Sequence, residues 1–406
     1  MTTVVDQRPH ATYVAGSGTT EAPAPARLTS LDLVRGLVVV IMAIDHVRVY
    51  SGQPAGGPTP GIFFTRWITH FVAPIFVFLA GTAAYLHGQR LLSSSGSSRA
   101  ALSRFLVTRG LWLVLLELTV IRVSWTFNFD YAHYMLAGVI WMIGWCMVLM
   151  AVAVQLPVVA VGAIGVAIVF GHNLADVFAS SLAPLSGNPL FKVLYFGGGL
   201  TDAMPILFVL VPWIGVMMSG YAFGTVMRMT PARRRSICLA LGVGATMLFI
   251  VLRALDGYGD PRHWSQGGNA PALLRFLGTT KYPASLLFLL MTLGPMFLLL
   301  PFVENTRGRV ANMFVTFGRV PFFYYLLHIP VIHLLACAVS LVREGRVNPW
   351  LFGNHPMAPP EVPPGYMWSL PLLYLVFAIA IAVLYVPCRW YANVKATRKS
   401  AWLSYL

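Results

Sequence analysis

The segment SLDLVRGLVVVIMAIDHVRVYSG, residues 30–52, is an apolar run with ionisable groups near both ends: Asp32 and Arg35, then Asp45 and His46. Each such group costs about 2.5–3.5 kcal/mol or more inside hydrocarbon, so it normally has a partner or a task. An imidazole can move a proton near neutral pH or accept an activated group covalently. Arg35 and His46 are eleven residues apart. On a helix that is almost three turns, so the two share a face about 16 Å apart along the axis. A cation at one end and a base at the other suits an extended pantetheine arm, with phosphates at the first and a thioester at the second. Arg35 is equally able to snorkel or to pair with Asp32. Asp45 points about 100° away from His46 and suits a partner on another helix.

Further polar groups lie at comparable depth in other apolar runs: Glu117 in TRGLWLVLLELTVIRVSW, His70 in WITHFVAPIFVFLAG, and His328 and His333 flanking Pro330 in GRVPFFYYLLHIPVIHLL. A single intramembrane imidazole is usually hydrogen-bonded structure. Several carboxylates and imidazoles in one layer point instead to an aqueous cavity with acid–base chemistry.

The elements that must position these groups are membrane helices. Of 406 residues, 57% are hydrophobic and only 10% charged, with a mean hydropathy of +0.72. Soluble domains average about 25% charged residues. The fold class expected is therefore all-α, a polytopic membrane helical bundle. About ten spans are expected, near 31–50, 63–87, 103–123, 134–155, 157–172, 205–227, 236–254, 282–303, 320–342 and 368–390. Lys and Arg cluster in alternate connections and near the C-terminus, which places both termini in the cytoplasm and explains the net charge of +15 without nucleic acid. Residues 1–29 read as a disordered cytoplasmic tail, 30–392 as one transmembrane domain and 393–406 as a basic cytoplasmic tail.

The four cysteines are scattered, with no CxxC, so neither a metal site nor a disulfide framework is expected. The paired histidines of a b-type haem protein are also absent. Gly220 and Gly224 in SGYAFG form a small-xxx-small pair that could pack within one chain or between chains, leaving an oligomer possible.

The ordered series RLTSLDLVRGLVVVIMAIDH, FFTRWITHFVAPIFVFLAGTAAYL, VPWIGVMMSGYAFG, TTKYPASLLFLLMTLGP and FGRVPFFYYLLHIPVIHLL resembles the bacterial membrane family related to the heparan-alpha-glucosaminide N-acetyltransferase catalytic domain. The likeness runs from about residue 27 to 390. It implies transfer of an acyl group, usually acetyl, from cytoplasmic acetyl-CoA (acyl-CoA) to a glycan or lipid-linked acceptor across the cell (inner) membrane. On that likeness Arg35 and His46 match the paired Arg and His of the wider membrane acyltransferase superfamily. The lysosomal member carries Asn at the position of His46 and a histidine in the following luminal loop. Here that loop, SGQPAGGPTPG, has no histidine, so either His46 has taken over the role or the activity differs.

The expected catalytic set is His46, Asp45, Glu117 and His333. Arg35, Arg109 and Arg319 are expected to meet the CoA phosphates, and His70, His328 and Lys281 to contact the acceptor. The alternative is a proton-coupled transporter or flippase for an envelope lipid or small solute, using Glu117, Asp45 and His46 as proton sites. No internal repeat supports it.

Overall fold

The computed structural model describes residues 29–57, 59–93, 98–266, 268–357 and 359–398. Nearly all of the expected N-terminal tail and residues 399–406 lie outside that set.

The first helix, α1, is Thr29–Ser51. A continuous helical stretch, α2, covers Pro60–Ser93, with a tighter 3-10 turn at Ile68–Phe71. Helix α3 begins as Arg99–Leu116, widens into a π-helical turn at Glu117–Ile121 and closes with Arg122–Thr126. Then follow α4 (Val139–Ala153), α5 (Val158–Gly171), α6 (Leu210–Met227), α7 (Pro231–Leu255) and α8 (Leu286–Val303). The chain ends with α9 (Arg309–Arg319), α10 (Pro321–Glu344) and α11 (Leu370–Thr397). A small antiparallel hairpin, β1 (Gly198–Thr201) and β2 (Met204–Ile206), is the one sheet among the described residues.

Local chemistry sets the helix ends. Thr59, Ser285 and Ser369 accept from the backbone amides of Ile62, Phe288 and Leu372, and proline stands in the first turn of α2 and α11. Phe127, Asp256 and Gly345 end α3, α7 and α10 in the left-handed conformation.

Seven helical stretches are long and apolar enough to cross a membrane: Pro60–Ser93, Val158–Val177, Leu210–Met227, Pro231–Leu255, Leu286–Val303, Pro321–Glu344 and Leu370–Thr397. The chain is a multi-pass membrane protein in contact with the lipid bilayer. Several boundaries differ from the expected ones. The fourth helix starts at Val139 rather than 134, because residues 127–138 form a loop after the left-handed Phe127. The sixth starts at Leu210, after the hairpin. The last runs through 393–397, into the expected basic tail. Helix α9 was not anticipated. It is too short for a span, and it buries Ala311, Val315, Phe317 and Gly318.

Helix α1 is enclosed by the bundle, in contact with α2, α8, α9, α10 and α11. Its closest neighbour is α9, where backbones touch. A Cβ on Gly36 would lie 1.7 Å from the Phe314 carbonyl oxygen, and one on Gly318 would lie 1.7 Å from that of Asp32. Gly220 and Gly224 pack inside the chain, against the Phe78 backbone and the Tyr85 ring of α2, and Thr82 donates to the Gly220 carbonyl at 2.9 Å.

Backbone contact leaves no room for a side chain to move aside. Gly36→Val should therefore destabilise the bundle by about 1–3 kcal/mol or more. Thermal unfolding in detergent checks this, with Gly187→Val as the comparison, because Gly187 has nothing within 4 Å of its Cβ position.

Candidate active site

A cavity of about 1110 Å³ extends inward from one end of the bundle, between α1, α2, α3, α4, α6 and α10. Its outer part is basic. Arg35, Arg109 and Arg319, the three expected phosphate contacts, all line it, joined by Arg90, Arg228, Arg234 and Lys395. Some of these cations are tethered. Arg35 lies 3.6 Å from Asp32 and donates to the Leu79 carbonyl at 3.2 Å. Arg228 donates to Gln89 at 2.6 Å, and Arg234 pairs with Glu304. The inner part is apolar and ends at Met42, Val72, Ala73 and Tyr325. Met42 stands one turn before His46 on α1, about 6 Å along the axis.

Beyond that apolar end lies a histidine pair. His46 Nδ1 is 2.6 Å from Nε2 of His328, with the rings stacked at a centroid separation of 4.7 Å. His328 Nδ1 is 2.6 Å from the Tyr325 carbonyl oxygen. A carbonyl only accepts, so His328 carries its proton on Nδ1, and with both rings neutral its Nε2 accepts from His46 Nδ1–H. This chain of bonds leaves the Nε2 lone pair of His46 bare. Nothing among the described residues takes that atom. His46 is half-buried, whereas His328 is fully buried. Trp125 meets the His46 ring edge-on at 5.0 Å, which fixes the plane of the imidazole.

Asp45 does face another helix, as its direction on α1 implied. Its two oxygens accept from Arg48 at 2.8 Å and from Arg66 of α2 at 2.7 Å. Arg48 also donates to the Gln53 carbonyl at 2.8 Å. With both oxygens held by guanidinium groups, Asp45 ties α1 to α2. Arg66 was not singled out in the sequence, although an arginine inside the apolar second run was a visible signal that Asp45 had a partner.

The remaining expected residues separate into three places. Lys281 and His70 lie close enough to Asp45 and Arg66 to interact electrostatically with them. Lys281 is half-buried, and burial together with the Arg66 guanidinium lowers its pKa from the usual lysine range. His333 does not reach His46. It donates to the Ser124 carbonyl at 3.3 Å and is stacked between the rings of Tyr50 and Phe127. Glu117 is fully buried in the π-helical turn, against the backbone at the start of α4. A Cβ on Gly138 would lie 2.3 Å from Glu117 Oε1, so glycine makes the space for this carboxyl. The pairing of His46 with His328, rather than with His333, depends on helix packing that a single sequence does not display.

The architecture is that of a multi-pass membrane protein with a basic, inward-reaching cavity and a histidine pair beyond its apolar end. Residues 27–252 match the family described as "Heparan-alpha-glucosaminide N-acetyltransferase, catalytic". The chain belongs to that family of membrane acetyltransferases. No curated protein gives a significant match.

The anchoring role of Asp45 is open to a double-mutant cycle. Asp45→Asn and Arg66→Met should each lower stability, and the double variant should lose less than their sum, with a coupling of about 1–3 kcal/mol. Detergent-based thermal unfolding provides the measurement, and strict additivity would contradict the pairing.

Proposed function

We propose that the chain is an acyl-CoA-dependent acyltransferase of the cell (inner) membrane. It takes an acetyl group from a cytoplasmic thioester and gives it to an envelope glycan or lipid-linked acceptor on the other side. One observation carries this reading: the cavity lined by Arg35, Arg109 and Arg319 also reaches Met42, one turn short of His46. Phosphates of the donor meet the cations of the basic end, helped at Arg319 by the start of α10. The pantetheine arm follows the α1 face inward past apolar side chains. Met42, unbranched and freely rotating, is the side chain that swings aside to admit the thioester.

At the far end His46 acts through Nε2. It removes the proton of the acceptor as that group attacks the thioester carbonyl, or takes the acyl group itself first. In either case positive charge develops on the His46 ring, and His328, accepting from Nδ1–H, orients and stabilises it. His328 is thus a positioning residue. Glu117 and His333 lie outside direct reach of the dyad and support its surroundings.

Radiolabelled acetyl-CoA supplied to membranes that contain the protein tests the reading. His46→Ala should lower transfer by about 10²–10⁴-fold. His328→Leu, which removes the acceptor for Nδ1–H, should lose more activity than His328→Gln, whose amide oxygen can replace it. Transfer at the wild-type rate by His46→Ala would refute the mechanism.

The donor end has its own signature. Arg109→Gln combined with Arg319→Gln should raise KM for acetyl-CoA by about tenfold or more while leaving KM for acetyl-pantetheine unchanged, because only the first donor carries the phosphates. Initial rates with the two donors provide the check.

A further inference from the structure

Around Asp45 and His46, cationic groups outnumber anionic ones. Arg48, Arg66 and Lys281 all act on Asp45 and His46, and Asp45 already gives one oxygen to each of the two arginines, at 2.8 and 2.7 Å. The carboxylate nearest to Lys281 along the chain, Asp260, is turned into its own loop. It accepts from the Arg262 amide at 2.8 Å, Thr280 Oγ1 at 2.8 Å and Ser285 Oγ at 2.7 Å. Among the described residues, neither Asp45 nor Asp260 offers an open carboxylate to an arriving cation.

Lys281 is held in place by that loop. Besides the Asp260 contacts, fully buried Arg253 donates to the carbonyls of Arg262, Arg275, Phe276 and Gly278 at 2.8–3.0 Å. These bonds fix the loop on both sides of the lysine. The ammonium lies 5.3 Å from the Tyr282 ring centroid and 5.9 Å from that of Phe208. Burial and Arg66 lower the Lys281 pKa, as expected where positive charge already exceeds negative.

We propose that the acyl acceptor is a hydroxyl on a molecule that carries an anionic group, phosphate or carboxylate, and that Lys281 binds that anion beside His46. The proposal rests on the acyltransferase reading and specifies its acceptor. An amine acceptor arrives largely as ammonium near neutral pH and would add a fourth cation to Arg48, Arg66 and Lys281. A neighbouring anion instead offsets the excess charge, and a hydroxyl needs only the base that the bare Nε2 of His46 supplies. In the reaction the thioester C–S bond breaks and an ester C–O bond forms. The hydroxyl proton passes to His46 Nε2 and then to the departing thiolate, giving ester and CoA thiol.

Native membranes containing the protein, supplied with radiolabelled acetyl-CoA, report the bond formed. Label stable to neutral hydroxylamine but released by alkaline hydroxylamine is oxygen ester and supports the proposal; label that resists alkaline hydroxylamine is amide and overturns it. Purified protein is then given glucose 1-phosphate, glucuronic acid, glucose and glucosamine. Glucose 1-phosphate or glucuronic acid should exceed glucose in kcat/KM by about tenfold or more, and which of them does so distinguishes phosphate from carboxylate. Lys281→Gln should abolish the preference and Lys281→Arg retain it, whereas an unchanged preference in Lys281→Gln or a preference for glucosamine overturns the proposal. If no acceptor consumes acetyl-CoA, the acyltransferase reading fails by itself. Calorimetric titration then decides the charge preference separately: tighter binding of the anionic sugars, lost in Lys281→Gln, supports it, and tighter binding of glucosamine overturns it.

Discussion

The cost of placing ionisable groups inside an apolar bundle governs this structure. A charge removed from water must be paired, and a pair fixes the elements that carry it. Asp45 is shared between Arg48 of its own helix and Arg66 of α2. Near the other end of α1, Arg35 leans on Asp32 and on a carbonyl of α2. Between these ties the helix meets α9 through glycine, backbone to backbone. Helix α1 is therefore held in rotation and in height, and His46 inherits a fixed position from it.

The histidine pair suits this interior better than a His–carboxylate pair would. Two neutral rings joined by one hydrogen bond are cheaper to bury than an anion facing an imidazole. The carbonyl of Tyr325 sets the tautomer of the buried member, which in turn sets that of the half-buried one. A backbone atom thereby determines which nitrogen of His46 is available.

Much of this was legible in composition and periodicity. Apolar runs announced the helices, and the eleven-residue spacing placed Arg35 and His46 on one face of α1. The direction of Asp45 implied a partner on another helix. What could not be read was which groups meet across helices. The sequence does not show that packing brings His328 onto His46 and stacks His333 between Tyr50 and Phe127. The cations at helix ends, such as Arg90 and Arg228, looked like ordinary topology signals until the cavity gathered them. Helix α9 escaped because an eleven-residue amphipathic segment is too short to register as a span.

The bond from His46 to His328 joins positions 282 residues apart, and the stretch that identifies the family stops at residue 252. Under the proposed mechanism, the working unit is therefore longer than the stretch that matches the family. Homologues trimmed to the recognisable portion would retain the imidazole on α1 while losing its orienting neighbour on α10. Any grafting or shortening of such chains has to carry the tenth helix along with the first.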